Sequence, residues 1–306
     1  MYEFIATKIQ IMPRSGVRII DGHTMPYTWP ILDTLRPEEK AIRYWTSAEG
    51  KRRIVPALFE EEPIDKSDML IKDMDKHGIS KAVIVSSILH APNEFVSTLV
   101  RRNPDRFIGF CRFLYHSPPE SAAEQIERGI KDMGLKGVGE WALADMYPIP
   151  PHDIHRAREF TIPMDMIAKL KVPVLFHAGW EPLPLPLRYS DPLIIEDIAD
   201  FYPDVPIIIG HTGKLDNYFR EPALFVARKH DNVYLDLSFQ TAPNIKQAID
   251  NAGADHCLFS TYWEIPNLVD VSKLYETQLG AVESCKLNDT EYELIMGKNL
   301  SRLLKL

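Results

Sequence analysis

Four side chains able to hold a divalent cation, His23, Glu140, His177 and His211, each close a separate short apolar run of this 306-residue chain. Two imidazoles and a carboxylate are the usual protein ligands of a catalytic zinc, leaving one position open for water. Taken one at a time, each has a plainer reading, since a histidine at a strand end is more often a hydrogen-bonded structural residue. Ending four different strands, they are expected to converge on one spot. Other polar groups close apolar runs as well: Asp21, Arg112, Asp236, Ser238 and Tyr262. His77, His230 and His256 read as surface or turn residues, while His116 and His152 follow runs and lie nearer the same end. A nucleophilic serine is not expected, because Ser86 and Ser87 lack a G-x-S-x-G elbow. Cys111, Cys257 and Cys285 are far apart, form no C-x-x-C pair and have no evident histidine partner, which suits a reducing cytosol.

The runs that must position these groups are VRII (17–20), KAVIVSS (81–87), RFIGFCRF (106–113), LKGVGEW (135–141), VPVLFHAG (172–179), VPIIIGHTG (205–213), NVYLDLS (232–238) and HCLFSTYW (256–263). Val- and Ile-rich segments, apolar on both faces, are what buried parallel strands look like. Between them lie helical stretches with helical punctuation: 67–78 with a Ser cap and a closing Gly, 117–134 with Pro in its first turn, and 191–204 starting at Asp191. Eight strand–helix alternations predict a (β/α)₈ TIM barrel whose active site sits at the carboxyl ends of the strands. An open doubly wound sheet is the competitor, and no strand is followed by a G-x-G-x-x-G turn. The alternation is interrupted over 26–65, which contains Trp29, Tyr44 and Trp45 and reads as an excursion over the barrel mouth. A peripheral packing or dimer element is its other reading. Residues 265–306 read as helices closing one barrel domain that spans 1–306.

Composition agrees with a soluble globular protein: 45% hydrophobic, 25% charged and a net charge of −8. That balance argues against a nucleic-acid or anionic-membrane partner. No window is apolar enough for a membrane helix. Glu3, Lys8 and Arg14 interrupt the start, so no secretory signal is expected and the location is expected to be cytoplasmic.

Several segments resemble the amidohydrolase superfamily. IIDGHTM is similar to its opening D-x-H-x-H motif, LFHAG and DVPIIIGHTG to its fifth- and sixth-strand histidine motifs, and ADHCLFSTYWE stands where ILFGSDWP is usual. IMGKNLSRLL resembles the terminal I-x-G-x-N-A-x-R-L-L helix, and the match runs from Val17 to Leu304. Together they point to the amidohydrolase-2 branch, which includes aminocarboxymuconate semialdehyde decarboxylase and related decarboxylases and hydrolases. GVGEWAL resembles instead the G-E-x-G-L-D segment of TatD-like metal hydrolases. The resemblance implies metal ligands at His23, Glu140, His177 and His211, with His211 a catalytic acid or substrate contact in the decarboxylases. It also implies a homodimer. The chain departs from the pattern at Met25, in place of the second histidine of H-x-H, and at Tyr262, in place of the eighth-strand aspartate.

Methionine is a poor zinc ligand and tyrosine ionises near pH 10, so a pair of metals is not expected. The expectation is one divalent ion, zinc first, with manganese or iron as alternatives. Catalysis is expected from His211, Asp21 and Tyr262, with His23 as a second candidate proton carrier. Arg112 is expected to clamp a substrate carboxylate, and Trp180, Trp263 and Tyr147 to form apolar walls. The first functional reading is hydrolysis of a small amide, lactone or similar carbonyl compound through metal-activated water. The second is decarboxylation of a small aromatic or unsaturated acid, for which the missing eighth-strand aspartate matters less. The third is a barrel that has lost catalysis and binds a ligand.

Overall fold

A computed structural model describes residues 14–33, 61–86, 91–114, 117–180, 186–264 and 273–306. All eight apolar runs form strands: β1 Ile19–Met25, β2 Ile79–Ile84, β3 Phe107–Cys111, β4 Gly137–Ala142, β5 Val174–His177, β6 Ile207–Ile209, β7 Val233–Asp236 and β8, split into Cys257–Leu258 and Trp263–Glu264. Every ladder between neighbours is parallel, from β1–β2 through β7–β8, and the second half of β8 returns to β1 at Thr24 and Met25. The sheet thus curls into a nearly closed TIM barrel, with Gly22 N–H donating to Phe259 O (2.9 Å) across the gap in β8.

Helices fill the connections: α1 Ser67–His77, α2 Asn93–Arg102, α3 Pro119–Lys131, α4 Arg158–Leu170, α5 Leu193–Phe201, α6 Asn217–Lys229, α7 Ala242–Ala252 and α8 Leu274–Ser284. Their buried sides are the apolar ones, so the core lies between barrel and helices, as β4 and α4 show. Trp141 points outward from β4, with Phe160 of α4, Phe113 and Phe176 at 4.7–5.4 Å between ring centroids. Its neighbour Glu140 points inward, as strand alternation requires. No helix among the described residues is long and apolar enough to cross a membrane.

Two punctuation marks act differently from their sequence reading. Ser67 is the first helical residue of α1 rather than its cap, and Asp65 Oδ1 accepts its N–H at 2.8 Å. In the last segment, Gly297 lies against the start of β1, where a Cβ would stand 2.2 Å from Arg18 O. Only glycine permits that approach. Asn299 then donates to Ala254 O and Cys257 O, which ties the terminal helix to β8.

The excursion after β1 is fastened at its base. Tyr27–Thr28 pairs antiparallel with Ile64–Asp65, and Tyr27 donates its hydroxyl proton to Val85 O at 2.9 Å. Trp29 is buried, with its ring edge-on to that of Tyr27. Tyr44, Trp45 and the rest of 34–60 lie outside the described residues, as do Ser87 and His116.

Candidate metal centre and active site

The carboxyl ends of β1, β4, β5 and β6 bring His23, Glu140, His177 and His211 together inside the barrel. Glu140 Oε1 sits 2.8 Å from His177 Nδ1 and 2.9 Å from His211 Nε2. Its Oε2 lies 3.9 Å from His23 Nε2. The His23 and His211 rings stack at 5.1 Å, and Tyr262 stands edge-on to both at 4.8 and 4.7 Å.

Irregular backbone makes this convergence possible. β4 shifts register between Val138 and Trp141, where Gly139 takes φ +136° and a Cβ would meet Leu175 O at 2.6 Å. Beyond it, Glu140 N–H donates to Ser86 O at 3.1 Å, pairing the end of β4 with the end of β2 above the shorter β3. His211, Thr212 and Tyr262 all have positive φ (57°, 48° and 58°). Such conformations cost on the order of 1–3 kcal/mol each and persist where the surroundings over-determine them. Here Thr212 is held by Asp236 O at 2.7 Å, and the His211 carbonyl by Gln240 Nε2 at 2.7 Å.

Burial and hydrogen bonding oppose one another inside this set. Burial alone would raise Glu140, but the imidazoles of His177 and His211 hold it well below the usual carboxylate range. Burial also favours an Asp236 carboxyl, yet its hydrogen bond from His23 brings it down to about 2. Burial pushes His211 down to about 4 against the pull of Glu140. For His23 burial is outweighed by Asp236, then Glu140, and the ring is raised.

Donor atoms of His23, Glu140 and His211 all lie within 4.8 Å of one another, a buried group that could hold one metal ion once its atoms draw slightly closer. Among the described residues His23 Nε2 is buried without a hydrogen-bond partner, as a nitrogen waiting for a ligand would be. Two nitrogens and one oxygen suit zinc, manganese or iron. His177 stands beside this trio rather than in it: its Nδ1 meets Glu140, and its Nε2 faces Gly179 O at 3.3 Å.

The remaining sequence candidates divide. Asp21 is buried, with Oδ1 accepting from His23 N (3.1 Å) and Thr261 N (3.0 Å), and Oδ2 from Thr261 Oγ1 (2.5 Å). Both oxygens clasp β1 to the gap in β8. Arg112, its backbone gripped on both sides by Asn93, lines a narrow cleft with Phe113, Glu140, Trp141 and Asp145. Trp180 and Tyr147 are exposed at the same end, Tyr147 standing edge-on to Tyr189. Trp263 is a correction to its expected role as a wall. It is buried, and its Nε1–H reaches Asp73 of α1 at 3.0 Å, because its place on the strand turns the ring outward. Met25 packs in the core.

Asp145 and Asp236 were given no role by the sequence pattern. Burial pushes Asp145 up to about 7 against the charge of Arg112, so its carboxyl exchanges a proton around neutrality and holds it at lower pH. Its signal was weak: it lies past the end of β4, in a 3-10 turn (Leu143–Met146) that carries no periodicity. Asp236 was visible as a strand end, but nothing in the sequence linked it to His23, 213 positions away.

Comparison with known proteins agrees with this architecture. A family model described as amidohydrolase matches residues 20–306. The gamma-resorcylate decarboxylase of Polaromonas sp. (strain JS666) is 26% identical over 274 residues, 70% of this chain and 81% of that protein. A dihydroxybenzoic acid decarboxylase structure from Polaromonas sp. JS666, solved with manganese and the inhibitor 2-nitroresorcinol, superposes with TM-score 0.64 at 20% identity, covering 95% of this chain and 97% of that one. A 4-oxalomesaconate hydratase from Rhodopseudomonas palustris superposes as well, with TM-score 0.65 at 17% identity, over 94% and 95%. The shared barrel therefore does not by itself select a reaction.

Proposed function

This chain belongs to the amidohydrolase family, and we propose that within it the protein is a metal-dependent decarboxylase of a small hydroxylated aromatic or unsaturated carboxylic acid. One observation carries the choice over hydrolysis. The described carboxylates around the cation site are already engaged: Glu140 by His177 and His211, Asp236 by His23, Asp21 by Thr261. Tyr262 occupies the eighth-strand position, and burial raises the Asp145 carboxyl to about 7, which leaves it a proton to donate at and below neutral pH. Attack by water needs a base to take its proton. Loss of carbon dioxide needs a held carboxylate and a proton delivered to carbon.

His23, Glu140 and His211 would hold the cation, with zinc, manganese or iron all compatible. When bound, it supplies positive charge that polarises a phenol or carbonyl oxygen of the substrate. Arg112 binds the carboxylate through its guanidinium fork and sets the scissile carbon–carbon bond in the cleft. Asp145 gives its proton to the ring carbon that bears the carboxylate. The carbon–carbon electron pair then returns to the ring, and carbon dioxide leaves. Tyr262 and Phe239, 5.0 Å apart between ring centroids, offer aromatic surface beside His211. The decarboxylase relatives support this reading.

The test pairs elemental analysis with carbon dioxide release from a panel of hydroxybenzoates and unsaturated acids. About one equivalent of transition metal is expected, with release that stops when the metal is stripped and returns on re-addition. Turnover of amides or lactones, without carbon dioxide from any acid, would return the protein to the hydrolase reading. An empty protein that ignores added zinc, manganese and iron, and turns over nothing, would leave a ligand-binding barrel.

A further inference from the structure

We propose that Asp236 is the positioning residue that makes His23 a cation ligand, by holding the proton of its Nδ1 and so leaving Nε2 as the nitrogen presented to the site. The inference rests on His23, Glu140 and His211 being a cation site. Asp236 itself touches neither cation nor substrate.

The two oxygens of Asp236 have separate tasks. Oδ2 lies 2.7 Å from His23 Nδ1, and Oδ1 accepts the backbone N–H of Ser238 at 2.7 Å. An ionised carboxylate only accepts, so Nδ1 must be the protonated nitrogen of a neutral His23. The other nitrogen is buried and has no hydrogen-bond partner among the described residues. A carboxylate behind a ligating histidine orients the ring and fixes its tautomer.

His211 shows the opposite arrangement from the same strand end. Its Nε2 is 2.9 Å from Glu140 Oε1 and its Nδ1 is 2.8 Å from Ser238 Oγ. Facing an ionised Glu140, Nε2 carries the proton, and Nδ1 accepts from the Ser238 hydroxyl. Ser238 can reverse that bond by rotating its hydroxyl, whereas Asp236 cannot become a donor. His23 is therefore preset. His211 must exchange tautomers, with Nε2 giving up a proton and Nδ1 gaining one directed at Ser238 Oγ, before it can ligate.

Two substitutions separate this role from simple packing. In Asp236→Asn the amide oxygen must stay with the Ser238 N–H, so the NH₂ group faces His23 Nδ1 and drives the proton to Nε2. Asp236→Ala leaves His23 free to choose. A packing role makes the isosteric Asn the milder change, and a tautomer role makes it the harsher one. The tautomer is read directly by imidazole ¹⁵N NMR of metal-free protein, at a pH where the ring is neutral. Affinity for Mn²⁺ and Zn²⁺ is read by calorimetry, with circular dichroism confirming folded variants. We expect Nδ1–H on His23 in the wild type and Nε2–H in the Asn variant, with metal affinity of the Asn variant 10- to 100-fold below wild type and below that of the Ala variant. Nε2–H in the wild type, or an Asn variant that binds metal better than the Ala variant, would overturn the proposal. A wild type that binds no metal yet shows the expected tautomers would sink the cation-site reading alone.

Discussion

At the β1–β7 side of the site, ionised oxygens meet imidazoles, a backbone N–H or a hydroxyl at 2.5–3.1 Å. At the β3–β4 side, Arg112 and Asp145 line a narrow cleft, and burial there raises the Asp145 carboxyl to about 7. The first region is a set of carboxylates hydrogen-bonded to imidazoles, in which the His23 nitrogen lacks a partner among the described residues, an arrangement suited to gaining a cation and losing protons. The second sets a cation beside a carboxyl raised to about 7, an arrangement suited to gripping an anion and handing over a proton. One barrel mouth thus keeps two electrostatic environments apart, divided by Glu140, which belongs to both.

The largest blow to this division is expected from Glu140→Gln. Removing one charge from a buried, hydrogen-bonded ion set costs about 3–5 kcal/mol, and the variant should unfold at clearly lower urea while metal binding falls below detection. Retained metal binding by calorimetry would show that the β1–β7 side does not depend on its shared carboxylate.

Arg112→Ala should act on the cleft alone. We expect kcat/KM for an acid substrate to fall roughly 10²- to 10³-fold, the loss of a charged bidentate contact worth about 3–4 kcal/mol, with metal content unchanged. A fall in metal content would merge the two regions into one.

Asp145→Asn sharpens the comparison through pH. A general acid held at about 7 is lost as pH rises through that value, so wild-type turnover should decline across it while the variant runs low and flat, about 10²-fold down at pH 6. Stability carries the same sign. The folded pKa is raised above the ordinary 3.8, so between about 4 and 7 the folded chain holds a proton that the unfolded chain has released. Wild-type stability should therefore drop as pH rises through that window, and the variant should escape on the order of 1 kcal/mol of the drop, a figure reduced because Asp145 is partly exposed. Parallel denaturation curves for the two proteins at pH 5 and pH 8 would contradict the assignment.

The smallest effect is expected from Ser238→Ala. The Ser238 hydroxyl can donate or accept and so does not fix the tautomer of His211, and metal affinity should weaken only about tenfold, the low end for an outer hydrogen bond to a ligand. A loss as large as that of Asp236→Asn would mean that the two histidines are held alike.

The barrel and its site lie at different depths of legibility. VLFH and VPIIIGH are readable because a parallel strand buried on both faces must be apolar along its length, so the first polar residue marks its carboxyl end. That logic placed His23, Glu140, His177, His211 and Arg112 at one mouth without any structure. It gave no direction to Trp263, whose side of the sheet depends on how β8 breaks, nor to Asp21, whose partner Thr261 lies 240 positions away. It treated His177 as equal to the other ligand candidates, although only the turn to Gly179 shows which way its ring faces.

From the chain alone, then, follow the eight-stranded barrel, the end at which chemistry happens and the kinds of side chain gathered there, because these depend on local apolar pattern and strand order. Which nitrogen faces which oxygen, which carboxyl stays protonated and which histidine is left with a bare nitrogen were decided only in three dimensions. Those properties depend on burial and on contacts between strand ends scarcely 3 Å apart, and no spacing along a sequence encodes a distance of that kind.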